Sequence, residues 1–148
     1  MAENKDNANI DPKELYVQLQ YLQNLYSQQY DYIEENLASY TIANNSVRRS
    51  IELLSGADSV KNSKVLMSPD AGIYMEASIG ELRSIITYVG AGYLVEKSVE
   101  DAKAFMEQNQ RKGEEVLMKL VSDKQKLEKE LLDINYRMGV LQQQLSGQ

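Results

Sequence analysis

The chain has 148 residues, enough for one domain, with 43% hydrophobic and 26% charged residues and a net charge of −6. The acidic excess argues against nucleic acid as a partner, because phosphates demand clustered Lys and Arg. The absence of Cys and His removes thiol chemistry, the commonest metal ligand and the commonest general base at neutral pH. No apolar run approaches the ~20 residues of a membrane span. Residues 1–10 are polar and lack the apolar core of a signal peptide. They are expected to be disordered, and the protein is expected to be cytoplasmic, with no membrane and no nucleic-acid partner.

Helix-start signals converge on Asp11. Asp11 suits the N-cap, Pro12 the first helical position and Glu14 the capping-box position, while Ile10 and Leu15 are spaced as a hydrophobic staple. Leu15, Leu19, Leu22, Tyr26, Gln29 and Ile33 then alternate steps of four and three, the seam of a coiled coil. An extra four-residue step follows Ile33, and Leu37, Tyr40, Asn44, Val47, Ile51 and Leu54 continue the pattern. Such a stutter locally unwinds the supercoil. Gly56 is the expected C-cap. The segment 11–56 therefore reads as one long helix. Tyr26 and Tyr40 read as seam packing; Tyr16, Tyr30 and Tyr32 flank it as amphipathic edge or as adhesive surface.

The middle, 64–97, reads as four short strands rich in Val, Ile and Tyr: Val65–Ser68, Ile73–Ile79, Ser84–Val89 and Tyr93–Lys97. The breaks are Pro69-Asp70-Ala71-Gly72, Gly80-Glu81-Leu82-Arg83 and Gly90-Ala91-Gly92. Two consecutive β-hairpins are the simplest topology. A two-stranded hairpin is marginal alone, and its free edges invite pairing. The middle thus predicts oligomerisation through a shared sheet or barrel. The glycines read as turn formers, since no Gly-Lys-Ser/Thr motif follows them and no cofactor is implied.

Ser98 with Asp101 marks a second helix start, and the segment 98–146 reads as the second arm. Leu117, Leu120, Lys124, Leu127, Leu131, Ile134, Met138, Leu141 and Leu145 form the cleanest heptads in the chain. Lys124, Asn44 and Gln29 put polar groups on the seams, a device that fixes register. Gly113 reads either as a flexible point or as unselected. Paired antiparallel, the arms would bring Leu15 near Met138, Leu19 near Ile134 and Leu22 near Leu131. The distal tip would carry Ile10, Leu15, Tyr16, Leu19, Val140, Leu141 and Leu145, and exposed apolar surface of that kind marks an interaction site.

Val89-Gly90-Ala91-Gly92-Tyr93-Leu94-Val95-Glu96-Lys97-Ser98, followed by Val99-Glu100-Asp101-Ala102, resembles the last hairpin and helix start of archaeal prefoldin α subunits. Pro69 to Ala77 is similar to that family's first hairpin, where Gly-Ala-Gly is more usual before the second strand. Gly80-Glu81-Leu82-Arg83 departs from the family's Lys/Asp/Thr-type turn, which leaves the lengths of the second and third strands open. Two hairpins match the α class; β-type subunits carry one. The resemblance implies a mainly α fold, a long antiparallel two-helix coiled coil whose two central β-hairpins assemble into an inter-subunit β-barrel. It implies an ATP-independent chaperone of two α and four β subunits, holding unfolded client proteins at coiled-coil tips and delivering them to a group II chaperonin. On this resemblance Val65, Met67, Ile73, Met75, Ile86, Val89, Tyr93 and Val95 would form the subunit interface. A coiled-coil adaptor for one fixed partner is the alternative that the heptads alone support. An enzyme has the least support, because long exposed helices enclose no pocket.

Overall fold

A computed structural model describes residues 11–147. Ile10 and the rest of the first ten residues lie outside the described residues. In chain order the elements are α1 (Pro12–Ser55), α2 (Ala57–Val60), β1 (Lys64–Asp70), β2 (Ile73–Ser78), β3 (Ile85–Gly90), β4 (Tyr93–Lys97) and α3 (Val99–Ser146). They form two compact units: the described residues up to Ser39 with those from Met118, and Tyr40–Leu117. α1 and α3 contribute to both.

Both long helices start on side-chain caps. The Asp11 carboxylate accepts from the Lys13 amide at 3.0 Å, and the Ser98 hydroxyl oxygen accepts from the Asp101 amide at 3.0 Å. Each satisfies an amide that the first turn leaves without an intrahelical partner. Gly56 does not act as the expected left-handed cap. Its φ is −94°, its amide bonds back to the Glu52 carbonyl at 3.1 Å, and α2 follows directly.

In the first unit the two helices run antiparallel. Gln23 bonds Asn135, the Tyr30 hydroxyl donates to Glu128 at 3.1 Å, and Lys124 donates to Glu34 at 2.6 Å. Every step up α1 is matched by an equal step down α3, so the three bonds share one register. Leu19 joins Ile134 as expected, in one buried cluster with Leu141, although the three bonds set it about a helical turn further towards the C-terminal end of α3 than the heptads place it, because a repeating apolar pattern pairs almost as well after such a slide. The polar pairs do not, and they select one register.

Leu19, Ile134 and Leu141 form the buried core of this unit, with Leu15, Tyr16, Leu22, Tyr26 and Met138 packed around it. All nine expected seam positions of α3 are buried or half-buried. On α1, Gln29 is exposed and Tyr30 is half-buried in its place. The two consecutive four-residue steps therefore fall at Leu22–Tyr26–Tyr30, earlier than the spacing predicts. Tyr30 wins because its ring lies 5.0 Å from the Lys124 ammonium and its hydroxyl reaches Glu128, which Gln29 cannot match with one amide.

In the second unit β1 pairs with β2 and β3 with β4, both antiparallel, as two separate two-stranded sheets. β1 runs to Asp70, beyond the expected end at Ser68, and its register shifts between Met67 and Asp70. Pro69 lies within that irregularity, where its missing N–H breaks no ladder. β2 ends one residue earlier than predicted, at Ser78, and β3 is displaced by one residue at both ends. The turn between β3 and β4 is Ala91-Gly92 with φ of 50° and 83°, the two positive values that a tight type I′ hairpin turn requires.

Candidate functional site

The hairpins expose apolar side chains on both faces of the first and on one face of the second. On one face of the first hairpin Met67 (53% exposed) pairs with Met75 (57%), beside Val65 and Ala77. On the other, Leu66 is 69% and Tyr74 66% exposed. Alternation along a strand assigns these faces. The second hairpin differs. Its Thr87 face is covered: Thr87 is buried and Ile85 and Lys97 are half-buried, with the Lys97 ammonium 5.4 Å from the Phe105 ring. Val89 and Val95 extend this face. The opposite face carries Ile86, Tyr88 and Leu94, all exposed.

Of the expected interface residues, Val65, Met67, Ile73 and Met75 lie together on one face of the first hairpin. Ile86 lies on the opposite face of the second hairpin from Val89 and Val95, while Tyr93 stands at the turn, paired with Gly90. Leu66, Tyr74, Tyr88 and Leu94 are equally exposed on the hairpins and were not among the expected interface residues. The signal was the same alternation, with apolar residues on both phases where a single hairpin buries at most one.

The expected tip residues fare differently. Leu19 (3% exposed) and Leu141 (9%) are core, Leu15, Tyr16 and Leu145 are half-buried, and Val140 is exposed. The helices thus close over the residues that the seam pattern offered as sticky. What stays exposed points outward: Val17, Tyr21, Leu25 and Tyr32 on α1, and Leu132, Tyr136 and Val140 on α3. An open hollow of ≈ 310 Å³ lies beside Leu15, Tyr136, Val140 and Leu141.

The strongest electrostatic feature is the cluster around Lys124. Its hydrogen bond to Glu34 is the main force holding the ammonium well above its usual range, helped by the bond to Tyr30. The same ammonium holds the Glu34 carboxyl down. At Tyr30 the ammonium pulls the phenol down, but burial and the bond to Glu128 outweigh it and leave the phenol raised. These shifts follow from ordinary ion pairing. No substrate-sized enclosed cavity adjoins the cluster, and among the described residues no group of His, Cys, Asp or Glu is arranged to hold a metal ion. A second open hollow of ≈ 310 Å³ is lined by Asp58, Lys61, Arg83, Glu100 and Lys103 among others. Asp58 and Lys61 pair across 2.6 Å; the Lys61 hydrogen bond lowers the Asp58 carboxyl and the Asp58 hydrogen bond raises the Lys61 ammonium.

Paired long helices and two small hairpins with exposed apolar side chains define a coiled-coil assembly subunit. A family model described as Prefoldin subunit matches residues 26–144. The chain belongs to the prefoldin family and is a chaperone-type subunit of a hetero-oligomeric assembly. It is similar to prefoldin subunit alpha of Methanocorpusculum labreanum, 27% identical over 139 residues and covering 93% of each chain. It is also similar to prefoldin subunit alpha of Pyrococcus horikoshii, 26% identical over 116 residues, covering 77% of this chain and 78% of that one. In fold it resembles a chain in the cryo-EM structure of filamentous PFD from Methanocaldococcus jannaschii. There the TM-score is 0.62 at 16% identity, with 76% of this chain and 94% of that one covered. No helix among the described residues is long and apolar enough to cross a membrane.

Proposed function

We propose that this chain is the α-type subunit of a cytoplasmic, ATP-independent holdase. Two copies join four β-type subunits through the hairpins in a shared β-barrel. The helix ends hold unfolded client proteins and deliver them to a group II chaperonin. The observation that carries the reading is the first hairpin, with Leu66 and Tyr74 exposed on one face and Met67 and Met75 on the other. A two-stranded sheet with one uncovered apolar face, exposed Leu66 and Tyr74 beside a Lys64–Glu76 ion pair on the other, and both edges free is marginal in water without a partner. Client holding needs only many weak apolar contacts acting together, where linked arms raise the effective concentration of each. No enclosed pocket is required, and release follows from competition by the receiving chaperonin.

The test has two parts. Native mass spectrometry of the chain mixed with a β-type prefoldin subunit should give a mixed hexamer. That hexamer should suppress aggregation of a denaturant-unfolded client without nucleotide. A lone monomer that ignores the β-type subunit would refute the assembly. A hexamer that leaves aggregation unchanged would refute client holding and favour a fixed adaptor.

A further inference from the structure

The chain has six Met and no Cys, so thioethers carry all of its oxidisable sulfur. Met1 lies outside the described residues, and Met106 and Met138 are half-buried. The other three are exposed. Met118 lies on α3, in the unit without hairpins. Met67 and Met75 are placed differently, because they oppose each other as cross-strand partners in the first hairpin. Their neighbours on that face are Val65, Ile73 and Ala77, whose side chains have no hydrogen-bond donor. Two thioethers thus stand at the centre of the hairpin's one wholly apolar face.

A peroxide oxidises such a thioether in a balanced two-electron step. The sulfur lone pair attacks one peroxide oxygen and the O–O bond breaks. That oxygen stays on sulfur, and the other leaves as water. Sulfur is oxidised and the peroxide reduced. The product is a polar sulfoxide in place of an apolar side chain. In the free chain it costs little, because both side chains already lie in water. Under a docked partner the sulfoxide oxygen needs a donor, and Val65, Ile73 and Ala77 supply none. A polar group buried without a partner is costly. Oxidation therefore spares the fold and acts on assembly, and a partner that covers the pair also shields it from peroxide.

We propose that the Met67–Met75 pair is a peroxide-sensitive switch on assembly. In the free subunit both thioethers oxidise and the hairpin no longer docks, whereas docking first protects them. The switch rests on the hairpin assembly proposed above and adds its regulation. It is reversible: a methionine sulfoxide reductase supplied with a dithiol returns the thioether, the sulfoxide oxygen leaving as water and the dithiol becoming a disulfide.

The experiment uses the full chain, hydrogen peroxide and a β-type prefoldin subunit. Peptide mapping by mass spectrometry should place one added oxygen on each of Met67, Met75 and Met118 in the free chain. In the preformed hexamer Met67 and Met75 should oxidise severalfold more slowly, with Met118 unchanged. The free chain, oxidised and then cleared of peroxide, should keep its helical circular dichroism and join the hexamer at least about tenfold less tightly. Treatment with the reductase should restore assembly. Met67→Leu/Met75→Leu, a swap that keeps apolar volume, should assemble like the native chain and go on doing so after peroxide. Met118→Leu should match the native chain before and after oxidation. Undiminished assembly of the oxidised native chain overturns the proposal. So does loss of assembly in the peroxide-treated Leu double variant, which would place the damage at another Met. Equal oxidation of Met67 and Met75 in free chain and hexamer overturns it too. Loss of the helical signal on oxidation also overturns it, since the core around Met138 would then be the target. An untreated native chain that forms no hexamer overturns the assembly reading itself.

Discussion

Gly113 sits inside a 48-residue helix, where glycine costs about 1 kcal/mol relative to alanine. It marks a close approach between α3 and α1. A Cβ there would stand 2.9 Å from the Asn44 Oδ1, inside the contact limit, so the side chain of α1 occupies the space that any other residue on α3 would need. The Asn44 Oδ1 is itself buried without a hydrogen-bond partner, which makes the pair a steric fit held at a polar cost. Gly113→Ala in the native background should therefore fail to deliver the helix-propensity gain. In an Asn44→Ala background it should stabilise by about 1 kcal/mol, and urea melts of the four variants should show that non-additivity. Lys124 and Glu34 make a second residue-scale case. The Glu34 pKa is depressed, so its contribution is present above its ordinary value of 4.5 and lost as pH falls through the lower folded value. The Lys124 pKa is raised, so its contribution is present below 10.5 and lost only as pH rises through the higher folded value. The stability difference between the native chain and Glu34→Gln should be flat from about pH 5 to about pH 10 and shrink in acid below that window. Thermal melts at stepped pH measure it; a difference that grows in acid would contradict the pairing.

At the scale of elements, the helices and hairpins were legible because their signals are local. Asp11 and Ser98 announce helix starts by side-chain chemistry, and Ala91-Gly92 announces a turn by backbone sterics. Register was legible only in part: Leu19 and Ile134 share one core as expected, but the offset within it was not legible. Leu15, Leu19 and Leu22 fit the apolar face of α3 at several offsets, and the choice among them is made by Gln23, Tyr30 and Glu34 finding Asn135, Glu128 and Lys124. Polar partners far apart in sequence leave no periodic trace. The interface was half legible for a related reason. Alternation identified one face of each strand, but the second face of the first hairpin is mixed, with Leu66 and Tyr74 exposed beside the Lys64–Glu76 ion pair. Leu66→Ser/Tyr74→Ser should therefore separate assembly from folding. Both side chains are largely exposed in the chain itself, so its own unfolding should move by no more than about 0.5 kcal/mol per site. The mixed hexamer should fall apart into smaller species by native mass. An intact hexamer would show that this face stays in water and that only the Met67–Met75 face is covered.

Among the described residues each unit has a thin interior: Leu19, Ile134 and Leu141 are the buried side chains of one unit, and Ala57, Ala102 and Thr87 those of the other. Small residues dominate the second set, so little apolar area supports the hairpins from within. At about 25 cal/mol per Å², covering even a modest part of the exposed strand surface contributes more than those alanines do. Stability should then belong to the assembly. Binding of a partner to the folded chain alone raises its stability by about 2.7 kcal/mol at a hundredfold excess over Kd, so the melting temperature should climb as a β-type subunit is titrated in. Hydrogen exchange should show where the gain falls, with amides of β1 to β4 slowing most on assembly. The amides around Leu19 and Ile134, already served by their own core, should change least. A melting temperature that ignores the added subunit, or protection that rises evenly along the chain, would mean that the hairpins are held up by the chain itself and would remove the physical reason for assembly.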